Sequence, residues 1–154
     1  MLSSIVLAAL SSARAKARDM VRLSDLKQLQ IALEMYRVEN GHYPISGADT
    51  GIPPKPPFRS GVAQCMNGVF SFGYGASGYI PGLVPDFISE LPEDPAKLTL
   101  PSLSPRCYAY ASNGADYMVM ARNSEGYKPP INLRRQTGGN LLTIAVFTQG
   151  AVGW

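Results

Sequence analysis

The sequence predicts an α+β fold: a long N-terminal helix packed on a small antiparallel β-sheet of about three to four strands. Three observations carry this. Residues 2–40 contain neither Pro nor Gly and are rich in Ala, Leu, Lys, Arg, Glu, Gln and Met, which lose least on becoming helical. Residues 107–112 and 116–122 are β-prone runs separated by Asn113-Gly114, the dipeptide that best accepts a two-residue type I′ hairpin turn. Residues 141–148 form a third apolar run, bounded by Gly138-Gly139 and Gly150.

The helix has a defined stop. Gly41 follows Asn40, and glycine is favoured just past a helix end because it takes the left-handed conformation without a Cβ clash; Pro44 then forbids resumption. At 1.5 Å per residue such a helix is about 58 Å long, so it must protrude from a small domain. Its halves differ. Residues 1–10 are apolar except for Ser3 and Ser4, whereas Arg14, Lys16, Arg18, Asp19, Arg22, Asp25 and Lys27 follow in close order. An apolar half over 1–13 and a domain-packed half over 20–40 are therefore expected. An apolar end followed by a basic zone has the pattern of a segment leaving a bilayer. Ten apolar residues cover only ~15 Å, though, and a crossing needs about 20 residues.

On a helical wheel Leu26, Leu29, Leu33 and Tyr36, extended by Ala32, make one stripe that should pack on the sheet. Met20, Ile31, Met35 and Val38 fall on roughly the opposite side, where a one-sided domain helix would be polar. Either Pro-rich loops or neighbouring subunits must cover this second stripe.

A chain of 154 residues suits one domain, the helix over 1–40 and a globular part over 41–154 with a connecting region to 106 and the sheet from 107. Only 16% of residues are charged, against 15 Gly and 13 Pro, which indicates a loop-rich surface. Residues 53–57 favour extended polyproline conformation. Residues 84–91 place Pro85 where it starts a short helix with Phe87, Ile88 and Leu91 turned inward. Residues 127–139 read as an excursion between the second and third strands. The net charge of +3 is too small to argue for nucleic acid as a partner.

Catalytic constellations are missing. His42 is the only histidine, so neither a His cluster for zinc nor a Ser-His-Asp triad can form, and Gly73-Tyr-Gly-Ala-Ser-Gly78 lacks the spacing of a phosphate loop. Asp86, Glu90, Glu93, Asp94 and Asp116 match no calcium-loop pattern, so no cofactor is expected. Cys65 and Cys107 are the only cysteines, outside any CxxC motif. Paired, they close a loop worth about 4 kcal/mol in the chain-entropy model; unpaired, they are two buried thiols.

Residues 5–19, then Asp-Leu-Lys-Gln-Leu-Gln-Ile-Ala-Leu-Glu-Met-Tyr at 25–36 and Asn-Gly-His-Tyr-Pro at 40–44, closely resemble type IV pilins and the pseudopilins of bacterial type II secretion. The run into Asn-Gly-x-Tyr-Pro is the most specific part. The resemblance is strong over 2–44, weaker over 79–95, where Leu-Pro-Glu-Asp-Pro at 91–95 is similar to a turn before the family's sheet, and over 107–121; it is absent from about the last thirty residues. It implies a pilin-like fold and a structural, non-enzymatic filament subunit that assembles with copies of itself through the N-terminal helix, with Met20, Ile31, Met35 and Val38 as the assembly interface. It also implies contact with the bacterial cytoplasmic membrane through that helix, then a periplasmic or cell-surface filament, an oxidising setting that favours the Cys65–Cys107 disulfide. Family precursors carry a basic leader, a Gly-Phe cleavage site and a Leu-Ile-Glu run ahead of the point where this sequence starts, so no residue here takes the cleavage or assembly-glutamate role. From another class, a soluble extracytoplasmic binding module would use Tyr74, Tyr79 and Tyr127 to meet sugar or protein, but leaves the apolar N-terminus without a purpose.

Overall fold

The computed structural model describes residues 2–45, 79–96, 108–121, 124–128, 130, 133–136 and 142–152. One helix, α1, runs unbroken over Leu2–Asn40. Four strands follow, β1 (Tyr108–Ser112), β2 (Tyr117–Ala121), β3 (Arg134–Gln136) and β4 (Leu142–Phe147), in an antiparallel sheet of spatial order β1-β2-β4-β3. A 3-10 turn, Gln149–Ala151, follows β4.

The end of α1 follows from its cap. Gly41 has φ +78°, its N–H donates to the Arg37 carbonyl at 2.8 Å, and the Asn40 side-chain amide donates to the Tyr36 carbonyl at 3.0 Å. Orphan carbonyls of the last turn are thereby satisfied. Two residues later the Tyr43 N–H donates to the Gly114 carbonyl at 2.8 Å, which ties the exit of the helix to the β1–β2 turn.

The first stripe packs as its spacing requires. Leu26, Leu29, Ala32 and Leu33 are buried against Tyr108, Tyr110, Tyr117, Val119, Ala121, Ile144 and Val146 on one face of the sheet, with α1 lying over β2 and β4. Tyr36 is half-buried, its ring 5.2 Å from that of Phe87. The opposite face holds a second cluster, Ala109, Met118, Met120, Ala145 and Ala151, with Phe147 at its margin. Burial on both faces explains why β1, β2 and β4 read as nearly continuous apolar runs rather than alternating ones.

Three local expectations are corrected. Ser112 pairs with Tyr117, so the hairpin turn spans Asn113 to Asp116 and its central residues are Gly114 and Ala115 instead of Asn113 and Gly114. The cause is the Asn113 side chain: its Oδ1 accepts the N–H groups of Ala115 (3.0 Å) and Asp116 (2.8 Å), which requires Asn113 at the first turn position, and Gly114 supplies φ +89° at the next. The excursion over 127–139 contains β3, whose Arg134, Arg135 and Gln136 pair with Ile144, Thr143 and Leu142. Residues 84–91 form turns, not a helix. Pro92 disfavours helical geometry at Leu91, leaving room for little more than one turn, and the N–H groups of Phe87 and Ile88 both point to the Leu83 carbonyl. Leu91 is buried and Phe87 and Ile88 pack on the core, joined by Tyr79 and by Ile80 and Leu83, the last two of which the sequence pattern did not single out.

The two stripes of α1 should differ sharply in their cost of truncation. Leu33→Ala removes a fully buried side chain and is expected to lower unfolding free energy by roughly 2–5 kcal/mol. Val38→Ala, on the exposed side, should change it by no more than about 0.5 kcal/mol. Urea denaturation of both variants measures the contrast, and equal losses would mean that the second stripe belongs to the monomer's own core.

Candidate assembly surface

Two features of α1 define the candidate site: an ionic knot that fixes the helix to the domain, and the apolar surface that the knot and the first stripe leave turned outward. Arg22 sits one helical turn before Leu26 on the packed stripe and is fully buried. Its guanidinium makes a two-pronged contact with Asp94 (Nε to Oδ2 2.8 Å, Nη2 to Oδ1 2.7 Å) and donates also to Asp19 Oδ1 at 2.6 Å and Glu125 Oε1 at 2.9 Å. Arg18 adds a second two-pronged pair with Glu125. Asp19 is held in turn by the backbone, its Oδ2 accepting the N–H groups of Glu125 (2.8 Å), Gly126 (2.7 Å) and Tyr127 (2.8 Å).

This arrangement stitches three separate stretches together. Asp94 comes from the Leu-Pro-Glu-Asp-Pro turn, where its Oδ1 also accepts the Ala96 N–H at 2.9 Å, and Glu125 comes from the connection after β2. Burial works against the charge on Arg22, but the bonds to Asp94, Asp19 and Glu125 outweigh it and leave its pKa above the ordinary arginine value. A little further along, Tyr108 donates to Asp25, whose pKa is raised by desolvation against the opposing effect of that hydrogen bond. Burial, reinforced by Asp25, raises the Tyr108 hydroxyl as well.

The knot also accounts for carboxylates weighed as calcium ligands. Asp94 is committed to Arg22, and Asp116 Oδ1 accepts from the Thr148 hydroxyl at 2.6 Å and the Gly150 N–H at 3.1 Å, while Asp86, Glu90 and Glu93 are exposed. Among the described residues no group of three or more His, Cys, Asp or Glu side chains is arranged to hold a metal ion. Cys65, Cys107 and Tyr74 lie outside the described residues. Tyr79, expected on a binding surface, is instead buried, its ring 6.4 Å from that of Tyr108 and its hydroxyl donating to the Pro92 carbonyl at 3.2 Å; Tyr127 is half-buried against the core. Apolar neighbours thus claim two of the three aromatic rings proposed as a recognition surface.

On the outer side of α1, relative exposure is 45% for Met20, 63% for Ile31, 53% for Met35 and 87% for Val38. Ile31, Met35 and Val38 line an open groove of about 620 Å³ together with Gln30, Glu34, Glu39 and Phe87. Met20 stands apart, eleven positions before Ile31 and so about 16 Å along the axis. Toward the N-terminus residues 6–14 are all exposed, including Val6, Leu7 and Leu10, and the domain first meets the helix where Gly126 approaches Ala15 and Lys16. Among the described residues no helix is long and apolar enough to cross a membrane.

Comparison with family models, with curated proteins and with solved structures finds no match to this chain.

Neither the knot nor the groove wall was named from sequence. A signal for the first existed: Arg22 lies on the apolar stripe four positions before Leu26, and Asp19 lies three before Arg22. Nothing local pointed to Phe87, because its position depends on how residues 79–96 return to the helix.

Two measurements probe this site. Arg22→Met removes the cation from three carboxylates and should cost about 3–5 kcal/mol, against no more than about 0.5 kcal/mol for Arg14→Met on the exposed helix; equal, small losses in urea denaturation would refute a structural role for the knot. Asp25 binds its proton more tightly in the folded than in the unfolded state, so its contribution to stability is fully present at low pH and falls as pH rises through its raised folded pKa. In Asp25→Asn the amide oxygen still accepts from Tyr108. The variant should match the parent near pH 3 and gain on it toward about pH 7, and a denaturation midpoint difference independent of pH would contradict this.

Proposed function

We propose that the chain is a structural, non-catalytic subunit of a type IV pilus-like or type II secretion pseudopilus-like filament, assembling with copies of itself through α1. The observation that carries this reading is that α1 has two apolar faces and the described domain covers one. Leu26, Leu29 and Leu33 are fully buried, whereas Ile31, Met35 and Val38 form an open apolar groove on the same helix. Contiguous exposed apolar surface on a soluble domain marks an interaction site more often than it marks nothing. The exposed apolar side chains Val6, Leu7 and Leu10, and the resemblance of residues 2–44 to the pilin helix, support the same conclusion. On this reading the apolar N-terminus meets the bacterial cytoplasmic membrane before assembly, and the finished filament is periplasmic or on the cell surface.

Met35→Glu tests the proposal because it places a charge where a dry helix contact is expected, and an unpaired buried charge costs several kcal/mol. In the isolated chain the residue is half exposed, so domain stability should move by no more than about 0.5 kcal/mol. Sedimentation and negative-stain electron microscopy should show filaments for the parent and their loss in the variant. Parent-like filaments from Met35→Glu would overturn the role of this face.

A further inference from the structure

The described methionines fall into two environments. Met118 and Met120 are sealed, at 0% and 1% exposure, in the cluster on the far face of the sheet, whereas Met20 and Met35 stand on the outward side of α1 at 45% and 53%. Met1 and Met66 lie outside the described residues. Of the two exposed thioethers only Met35 lines the groove, one turn after Ile31 and one turn before Val38.

The polar part of the groove lining is chemically one-sided. Glu34 and Glu39, when ionised, accept hydrogen bonds and donate none, and Glu34 already accepts from the Tyr43 hydroxyl at 2.8 Å. Gln30 is the lining side chain with N–H groups, and it is engaged by the Tyr117 hydroxyl. A soft, apolar thioether suits such a surface. A sulfoxide does not, because its oxygen needs a donor once water is excluded, and the lining has little donor capacity left to offer.

We propose that Met35 is a modification site through which peroxides control assembly: conversion of its thioether to the sulfoxide withdraws the groove from self-association, and enzymatic reduction returns it. The inference rests on the filament reading and adds its regulation. In the reaction a lone pair on Sδ attacks one peroxide oxygen, the S–O bond forms as the O–O bond breaks, and water leaves. Sulfur is oxidised by two electrons and the peroxide is reduced by two. The oxidant has to reach Sδ, so the target is the unassembled chain, and a copy whose groove is covered is protected. Oxidation thus stops the addition of new copies without dismantling those already joined.

Treatment of the whole 154-residue chain with dilute hydrogen peroxide tests this, with peptide mass spectrometry locating the modified methionines and sedimentation and negative-stain electron microscopy reading assembly. In the soluble chain Met20 and Met35 should each gain an oxygen, while Met118 and Met120 stay unmodified until the fold is denatured. The oxidised chain should need a concentration about tenfold higher or more to assemble, the scale set by one unpaired polar group in a dry contact. Methionine sulfoxide reductases of both stereospecificities should restore the parent value. Met35→Leu keeps an apolar side chain of similar volume and should assemble with or without peroxide, whereas Met20→Leu should remain sensitive. Should Met35→Leu fail to assemble, the reductase arm, run on Met20→Leu, decides in its place. Unchanged assembly of a chain whose Met35 is mapped as the sulfoxide would overturn the inference and leave the filament reading intact. So would a peroxide-treated Met35→Leu that loses assembly as the parent does, or Met35 oxidised as fast in preformed filaments as in the soluble chain. A parent that forms no filaments before any oxidation would overturn the filament reading and the inference with it.

Discussion

A guanidinium with no exposed surface is the constraint around which this structure closes. Arg22 can be buried only because Asp94, Asp19 and Glu125 reach it from three parts of the chain, and those carboxylates can be buried only because Arg22 is there. A buried ion pair adds little net stability over a well-packed apolar substitute, but leaving any of its members unpaired is expensive. The knot therefore acts on specificity: it permits one rotation and one axial position of α1 relative to the loops carrying Asp94 and Glu125. Slipping the helix by a single turn would strand charge in the interior.

With the rotation of α1 fixed, the roles of its two faces are fixed as well. Leu26, Leu29 and Leu33 face the tyrosine-rich surface of the sheet, and Ile31, Met35 and Val38 are turned away from it. At the other end the Tyr43 amide holds the Gly114 carbonyl and the Tyr110 hydroxyl donates to the Pro44 carbonyl, so the exit of the helix is fastened to the first hairpin. The Tyr43 ring also packs edge-to-face on Tyr117, centroids 4.6 Å apart, and its hydroxyl donates to Glu34, which lines the groove. The chemistry that orders the core thus also positions the outward surface.

Sequence reasoning succeeded where local rules operate and fell short where residues far apart must meet. The extent of α1, its stop at Gly41 and its packed stripe follow from propensity, capping and the 3.6-residue period, all legible within a few turns. Tyr108 and Tyr110 were correctly placed on a common face by the two-residue period of a strand. The hairpin turn was displaced by one residue because the side chain of Asn113, and not only its backbone preference, chose the turn position. β3 was missed since three residues carry too little pattern to distinguish a strand from a loop. The knot was missed because charged residues on a helix are ordinarily solvated, and only the return of residues 94 and 125 makes Arg22 an interior group. The outward stripe was legible as composition; its groove was not, because the wall is Phe87.

The position of the knot has a mechanical consequence. Arg18, Asp19 and Arg22 are close to the first points at which α1 engages the described part of the domain, and residues 6–14 are exposed. A load applied along the helix from its N-terminal side reaches the ionic bonds first and then the Leu26–Leu33 contact, which lies parallel to the pull. Bonds and packing so arranged are loaded in shear, with several forced to yield together rather than one after another as in peeling. The fold is thus suited to transmit tension from its N-terminal rod into its globular part.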